Sequence, residues 1–349
     1  MFWGSDRKTW CWLTVALLPC MVGSGQDKVA ELTIPAGLRH VSTEGMVFSL
    51  RGEMLALPRQ DGGVDLLDVA AEKWDVLPAP AGARLEPGRV AFAHSGRSLA
   101  SMNPGLGITI WDVVSKKPGN MLSLGPEIYV LSMAFLNDDR TLQATNQGST
   151  GDELETPWDY SVVRWNVATG ERRGSDDFGR HPLTMNVSPN GRYGIVNTIH
   201  KMLLCDFKAG GKTVDLGESD TPAIFSDDSS TLIVCDHGLI KFLDVPSGRE
   251  QRRLAVAPSF HVTGLHLALS ADTRLLAVGG YPKPQTAVVI SLATGKVLAT
   301  VTCGPDLSLC RSVQLSPDGH TLATNTDAGD SKDRPSTPDL KLWKIPASW

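Results

Sequence analysis

The chain has 349 residues, 42% hydrophobic and 20% charged, with 34 Gly, 22 Pro and a formal net charge of -5. Such a composition belongs to a globular chain dense in turns and poor in long helices, and no window sustains a 3.6-residue apolar period. The small acidic charge, with no cluster of Lys and Arg, excludes a nucleic-acid surface, which needs a basic footprint; the longest basic runs, Lys116-Lys117 and Arg252-Arg253, read as solvated outer edges that discourage edge-to-edge pairing.

The N-terminus reads as an address. Arg7 and Lys8 precede an apolar stretch, CWLTVALLPCMV at 11 to 22, and Gly23 and Gly25 offer small residues for cleavage before Gln26. That order is the layout of a secretory signal peptide over residues 1 to 25. The run falls short of the roughly 20 apolar residues that span a bilayer, and Pro19 interrupts it. The expected destination is therefore outside the cytoplasm, periplasmic or extracellular. A lipoprotein anchored through Cys20 is a minor alternative, because acylation sites want a small residue where this chain has Pro19.

After the leader, DKVAELTIPAG at 27 to 37 reads as a strand with no partner of its own, and seven copies of one unit follow. The inner hairpins read VFSLRGEML, AFAHSGRSL, AFLNDDRTL, NVSPNGRYG, IFSDDSSTL, LALSADTRL and QLSPDGHTL. Their first turn slot holds Ser49, Ala93, Leu136, Ser188, Ser226, Ser270 and Ser316, and six residues on stand Leu55, Leu99, Leu142, Gly194, Leu232, Leu276 and Leu322. Successive slots lie 38 to 52 residues apart, around the roughly 40 to 45 of a four-stranded propeller blade. A second column, in each third strand, holds Leu67, Trp111, Trp165, Cys205, Leu243, Ile290 and Trp343, followed by Asp68, Asp112, Asn166, Asp206, Asp244, Ser291 and Lys344. Gly-bearing turns then lead to short fourth strands. The last unit, LKLWKI at 340 to 345, has no strand after it, and KVAELTI at 28 to 34 matches KVLATV at 296 to 301. The expected fold is all-β: a seven-bladed β-propeller of four-stranded antiparallel blades, closed by the N-terminal strand completing blade 7. The repeat crosses the midpoint without a linker, so residues 26 to 349 are expected to form one domain.

The Ser-Pro-Asp-Gly turn at Ser316 to Gly319, its Asn-bearing counterpart at Ser188 to Gly191 and the strand ending Ile110-Trp111-Asp112 resemble the WD repeat family, over nearly all of residues 27 to 349. The family's Gly-His pair before the first strand and its Asp before the third have no consistent match. The hydrogen-bonded network those residues form in the family is therefore expected to give way to apolar packing. The resemblance implies a non-catalytic module that binds a partner through one face of its ring.

No catalytic motif, Cys-x-x-Cys or metal-spaced histidine pair stands in the chain, so neither a metal nor a cofactor is expected. Two loops between second and third strands carry the candidate partner-binding residues: Asp152, Glu153, Glu155, Trp158 and Tyr160 in blade 3, and Asp327, Asp330 and Asp333 in blade 7. A Trp and a Tyr among acids suit an anchor for a protein or glycan; the competing reading is a solvated insertion with Trp158 folded back on its own blade. The Asp triplet lacks the twelve-residue calcium-loop pattern. Of the four cysteines beyond the leader, Cys303 and Cys310 are candidates for a disulfide, and Cys205 and Cys235 for small buried hydrophobes. The partner is a protein, with the ring a monomer or part of a larger assembly. The alternative class is a propeller enzyme, a hydrolase, lactonase or quinone-dependent enzyme, with its site at the channel mouth.

Overall fold

The structure, a computed structural model, describes residues 30–32, 45–59, 61–82, 88–103, 105–124, 128–136, 138–149, 158–179, 184–197, 200–209, 212–218, 222–236, 238–256, 266–280, 283, 285–304, 309–327 and 339–349. The first strand is β1 (Ala30–Leu32). Blade 1 comprises β2 (Val47–Phe48), β3 (Met54–Pro58), β4 (Val64–Asp68) and β5 (Lys73–Leu77); blade 2, β6 (Val90–Phe92), β7 (Ser98–Asn103), β8 (Gly107–Asp112) and β9 (Lys117–Leu122). In blade 3 stand β10 (Ile128–Phe135), β11 (Thr141–Ser149), β12 (Trp158–Asn166) and β13 (Arg172–Gly179), and in blade 4, β14 (Thr184–Val187), β15 (Tyr193–Asn197), β16 (Met202–Asp206) and β17 (Lys212–Gly217). Blade 5 holds β18 (Ala223–Phe225), β19 (Thr231–Asp236), β20 (Leu239–Asp244) and β21 (Glu250–Ala255); blade 6, β22 (Leu267–Leu269), β23 (Leu275–Gly279), β24 (Thr286–Ser291) and β25 (Val297–Thr302). Blade 7 holds β26 (Leu309–Leu315), β27 (Thr321–Asp327) and β28 (Asp339–Lys344). Each blade is a four-stranded antiparallel sheet, and the fourth strand of blade 7 is β1, with Glu31 opposite Trp343. The fourth strands are not uniformly short, since β13 runs to eight residues.

The two sequence columns face each other across every second-to-third strand ladder. Leu55 pairs with Leu67, Leu99 with Trp111, Leu142 with Trp165, Gly194 with Cys205, Leu232 with Leu243, Leu276 with Ile290, and Leu322 with Trp343. Each pair then packs against the preceding blade. The apolar cluster holding Leu99 and Trp111 includes Leu66 and Leu77 of blade 1, and the one holding Leu55 and Leu67 includes Ala323 and Leu342 of blade 7. Seven such clusters lie at the seven seams. Gly194 breaks the column for a steric reason. A Cβ there would lie 2.4 Å from Cζ of Phe207, whose ring fills the space that Leu fills elsewhere.

Polar bonds supplement this mainly apolar packing. The indole of Trp111 donates to Ser101 Oγ at 2.9 Å and that of Trp343 to Thr324 Oγ1 at 3.0 Å, each across to the adjacent second strand. A buried indole N–H is satisfied in this way. At the rim, outer strands reach the next blade's turn: Asn120 donates to the carbonyls of Val167 and Ala168, and Lys116 pairs with Asp75 at 2.7 Å.

Candidate functional site

The inner hairpin turns form one face of the ring. In all seven, the amide three residues beyond the slot donates to the slot carbonyl, as from Gly191 to Ser188 and Thr273 to Ser270. That third residue has a left-handed backbone in every blade: Gly52, Gly96, Asp139, Gly191, Ser229, Thr273 and Gly319, with φ between 52° and 76°. With the slot amide donating to the carbonyl five residues on, each is a four-residue hairpin loop built around a β-turn. The slot serine explains its own recurrence. Ser188, Ser226, Ser270 and Ser316 each donate to the Asn or Asp two residues on and accept the amide five residues on, at 2.8 to 3.0 Å. The hydrogen bond from Ser226, with further bonds from Ser230, holds the carboxyl of Asp228 below the usual carboxylate range.

Neighbouring turns are also tied to one another. Asp139 of blade 3 accepts the amides of His94 and Ser95 of blade 2 at 2.6 and 2.8 Å. Ser229 of blade 5 accepts the amide of Asn190 of blade 4 at 3.0 Å, and the amide of Ala271 donates to the carbonyl of Pro317 at 2.9 Å.

Directly after the slot, Leu50, His94, Pro189, Asp227, Ala271 and Pro317 ring the mouth of the central channel on this face. Below them a cavity of 500 Å³ is walled by Val47, Val90, Phe92, Met133, Phe135 and Val187. Leu50 is 42% exposed, an apolar tip on a rim that also carries His94 and Asp227. Withdrawal from bulk water in this mouth pushes the carboxyl of Asp227 up, with His94 pulling it down and Asp228 adding to the rise. His94 Nδ1 lies 3.4 Å from Asp139 Oδ1. Sequence reasoning passed over this ring. The signal was present, since each member stands one residue after the aligned slot. Among the described residues no group of three or more His, Cys, Asp or Glu converges to hold a metal ion.

Of the residues singled out from sequence, Trp158, Tyr160 and Asp327 stand at the opposite ends of their strands. Antiparallel order puts the second-to-third strand loops at the same end of the blades as the inter-blade connections, away from the inner hairpin turns. Asp152, Glu153, Glu155, Asp330 and Asp333 lie outside the described residues. Trp158 and Tyr160 open β12, opposite Ser149 and Gln147, and Asp327 closes β27 opposite Leu309. The blade 3 hairpin is taller than its neighbours. Beyond the Leu142–Trp165 pair its ladder continues for seven residues to Ser149–Trp158, whereas beyond Leu99–Trp111 blade 2 continues for four, to Asn103–Gly107. Three further pairs lengthen the blade 3 ladder by about 10 Å at a strand's rise per residue.

Cys303 follows β25 and Cys310 lies in β26; both are buried free thiols, with Sγ atoms 2.9 Å apart. Cys205 and Cys235 are buried in two other seams, where burial pushes their thiols up to about 11 and about 12.

Neither a family model nor a curated protein sequence matches the chain. Among solved structures, the β-propeller domain of Cps50 (Swd1) from Myceliophteria thermophila is similar over 91% of this chain and 100% of that one, with a TM-score of 0.67 and 13% identity. At that identity the likeness shows a shared propeller fold.

Proposed function

We propose that the chain is a non-catalytic interaction module of the WD repeat type, acting outside the cytoplasm and holding a protein partner on the loop face of its ring. The observation that carries this reading is the blade 3 hairpin, whose ladder runs three residue pairs longer than that of blade 2 on a ring whose every seam is packed. A longer, backbone-paired hairpin fixes the backbone of Trp158 and Tyr160, in the last pairs of its ladder, and so leaves little further entropic cost on binding. In the sequence, Asp152, Glu153 and Glu155 stand between β11 and β12, and Asp330 and Asp333 follow Asp327 between β27 and β28, an acidic composition that favours a basic partner. Export rests on the leader at residues 1 to 25.

Recovery of partners from an extracytoplasmic extract tests the module. Wild-type protein is expected to retain a partner that Trp158→Ala loses, and equal recovery by both removes blade 3 from the interface. Mass analysis of protein isolated from cells tests export: a chain beginning at Gln26 is expected, and an intact leader contradicts it.

Asp227 and His94 at the rim of a 500 Å³ cavity favour a second reading, the propeller enzyme with a site at the channel mouth. Metal analysis and ligand screening against Asp227→Asn distinguish it, because a module that works through its loop face is indifferent to that substitution.

A further inference from the structure

We propose that Cys303 and Cys310 are a built disulfide site that closes as the chain folds in the presence of a disulfide oxidant, stapling the seam between blades 6 and 7. Of the cysteines described, these two alone are in contact, with Sγ atoms 2.9 Å apart; a disulfide needs about 2.05 Å, an approach of about 0.9 Å. Both side chains belong to the apolar cluster of this seam, with Val289, Val313 and Trp343. Neighbouring backbone positions the pair. The Cys303 amide donates to the Gln285 carbonyl at 2.8 Å, and Cys310 is held opposite Thr326 in the β26–β27 ladder.

In the packed seam the two thiols sit in unequal surroundings. The hydrogen bond from Cys310 draws the Cys303 thiol down against its burial, helped by Thr324 and Lys341, while the same contact and burial push Cys310 up. Closure precedes that burial, so either thiolate opens the exchange, for instance that of Cys303. It displaces one thiol from the oxidant to give a mixed disulfide. Cys310 then gives up its proton and attacks the Cys303 sulfur, displacing the second thiol. Two protein thiols are oxidised and one small disulfide is reduced to two thiols. Both sulfurs are buried once the blades pack, so closure belongs to folding and the finished bond is shielded from reductant.

The site itself does not depend on export; its use in cells rests on the export reading. Trypsin releases both cysteines in one peptide, residues 297 to 311. After unfolding in reductant and refolding with glutathione disulfide, that peptide is expected about 2 Da lighter than the dithiol, for the two hydrogens lost. The refolded protein is expected to melt about 3 to 4 °C above the reduced one, as for a short closed loop in a chain of this size. Cys303→Ser/Cys310→Ser should remove that difference. A peptide that stays a dithiol, or carries glutathione on either cysteine, overturns the proposal. A closed peptide after refolding but an open one in protein taken from cells would instead count against export.

Discussion

At the scale of single residues, the turns decide which side chains recur. Only a left-handed residue fits the third turn position, and Asp139, Ser229 and Thr273 occupy it without being glycine. For a β-branched side chain this backbone is costly, by about 1 to 2 kcal/mol. Thr273→Gly is therefore expected to raise the free energy of unfolding in urea by about 1 kcal/mol. Asp139→Gly is expected to lower it by a similar amount, because its carboxylate accepts two amides of the neighbouring turn and each such bond contributes about 1 kcal/mol or more. Asp228 supplies a pH test. Its carboxyl is held down in the folded state, so its contribution is present above the ordinary carboxylate pKa and is lost as pH falls through the folded value. Asn190 fills the same place in blade 4 with no titrating group. Asp228→Asn should keep the turn and show a shallower loss of stability below about pH 4, as followed by urea melts across pH. An unchanged slope would contradict this. The serine column was legible because it repeats; its cause, a hydroxyl that both donates and accepts within one turn, shows only in the geometry. The channel ring was missed because its residues share a position and no chemistry.

At the scale of elements, the blade seam is the unit, and Gly194 with Phe207 is its informative exception. Gly194→Leu restores the column residue but collides with the Phe207 ring, and overpacking of this kind costs about 1 to 3 kcal/mol. Phe207→Ala alone leaves a cavity costing about 3 to 5 kcal/mol. Together they are expected to cost less than their sum, a coupling of about 1 kcal/mol or more in a double-mutant cycle; strict additivity would contradict the shared space. In sequence Gly194 was legible as a misfit, while Phe207, one residue beyond the second column's Asp206, gave no sign that it filled the gap. Blade 3 shows the opposite limit. The stretch NQGS at 146 to 149 reads as loop, yet it lies within β11. A run of Asn, Gln, Gly and Ser carries no apolar alternation to mark it as strand.

At the scale of the molecule, seven equivalent seams make a ring, and the seam between blades 7 and 1 is packed like the others, with Leu55, Leu57, Leu67, Ala323 and Leu342 in one cluster. The number of blades was legible because both columns recur in every unit, and position within a unit sets which side faces a neighbour. Seam partners were not, since two residues meeting across a seam belong to different repeats and share no local pattern. The ring is the claim on which the platform, the longer hairpin and the stapled seam all stand. Zero-length carbodiimide coupling of the native chain tests it most directly, because Glu31 Oε1 lies 3.7 Å from Lys341 Nζ, at opposite ends of the sequence. The ring predicts a monomer in which the peptide containing Glu31 is joined to the one containing Lys341; coupling of Glu31 to lysines of blades 1 to 6, or only between molecules, would contradict it.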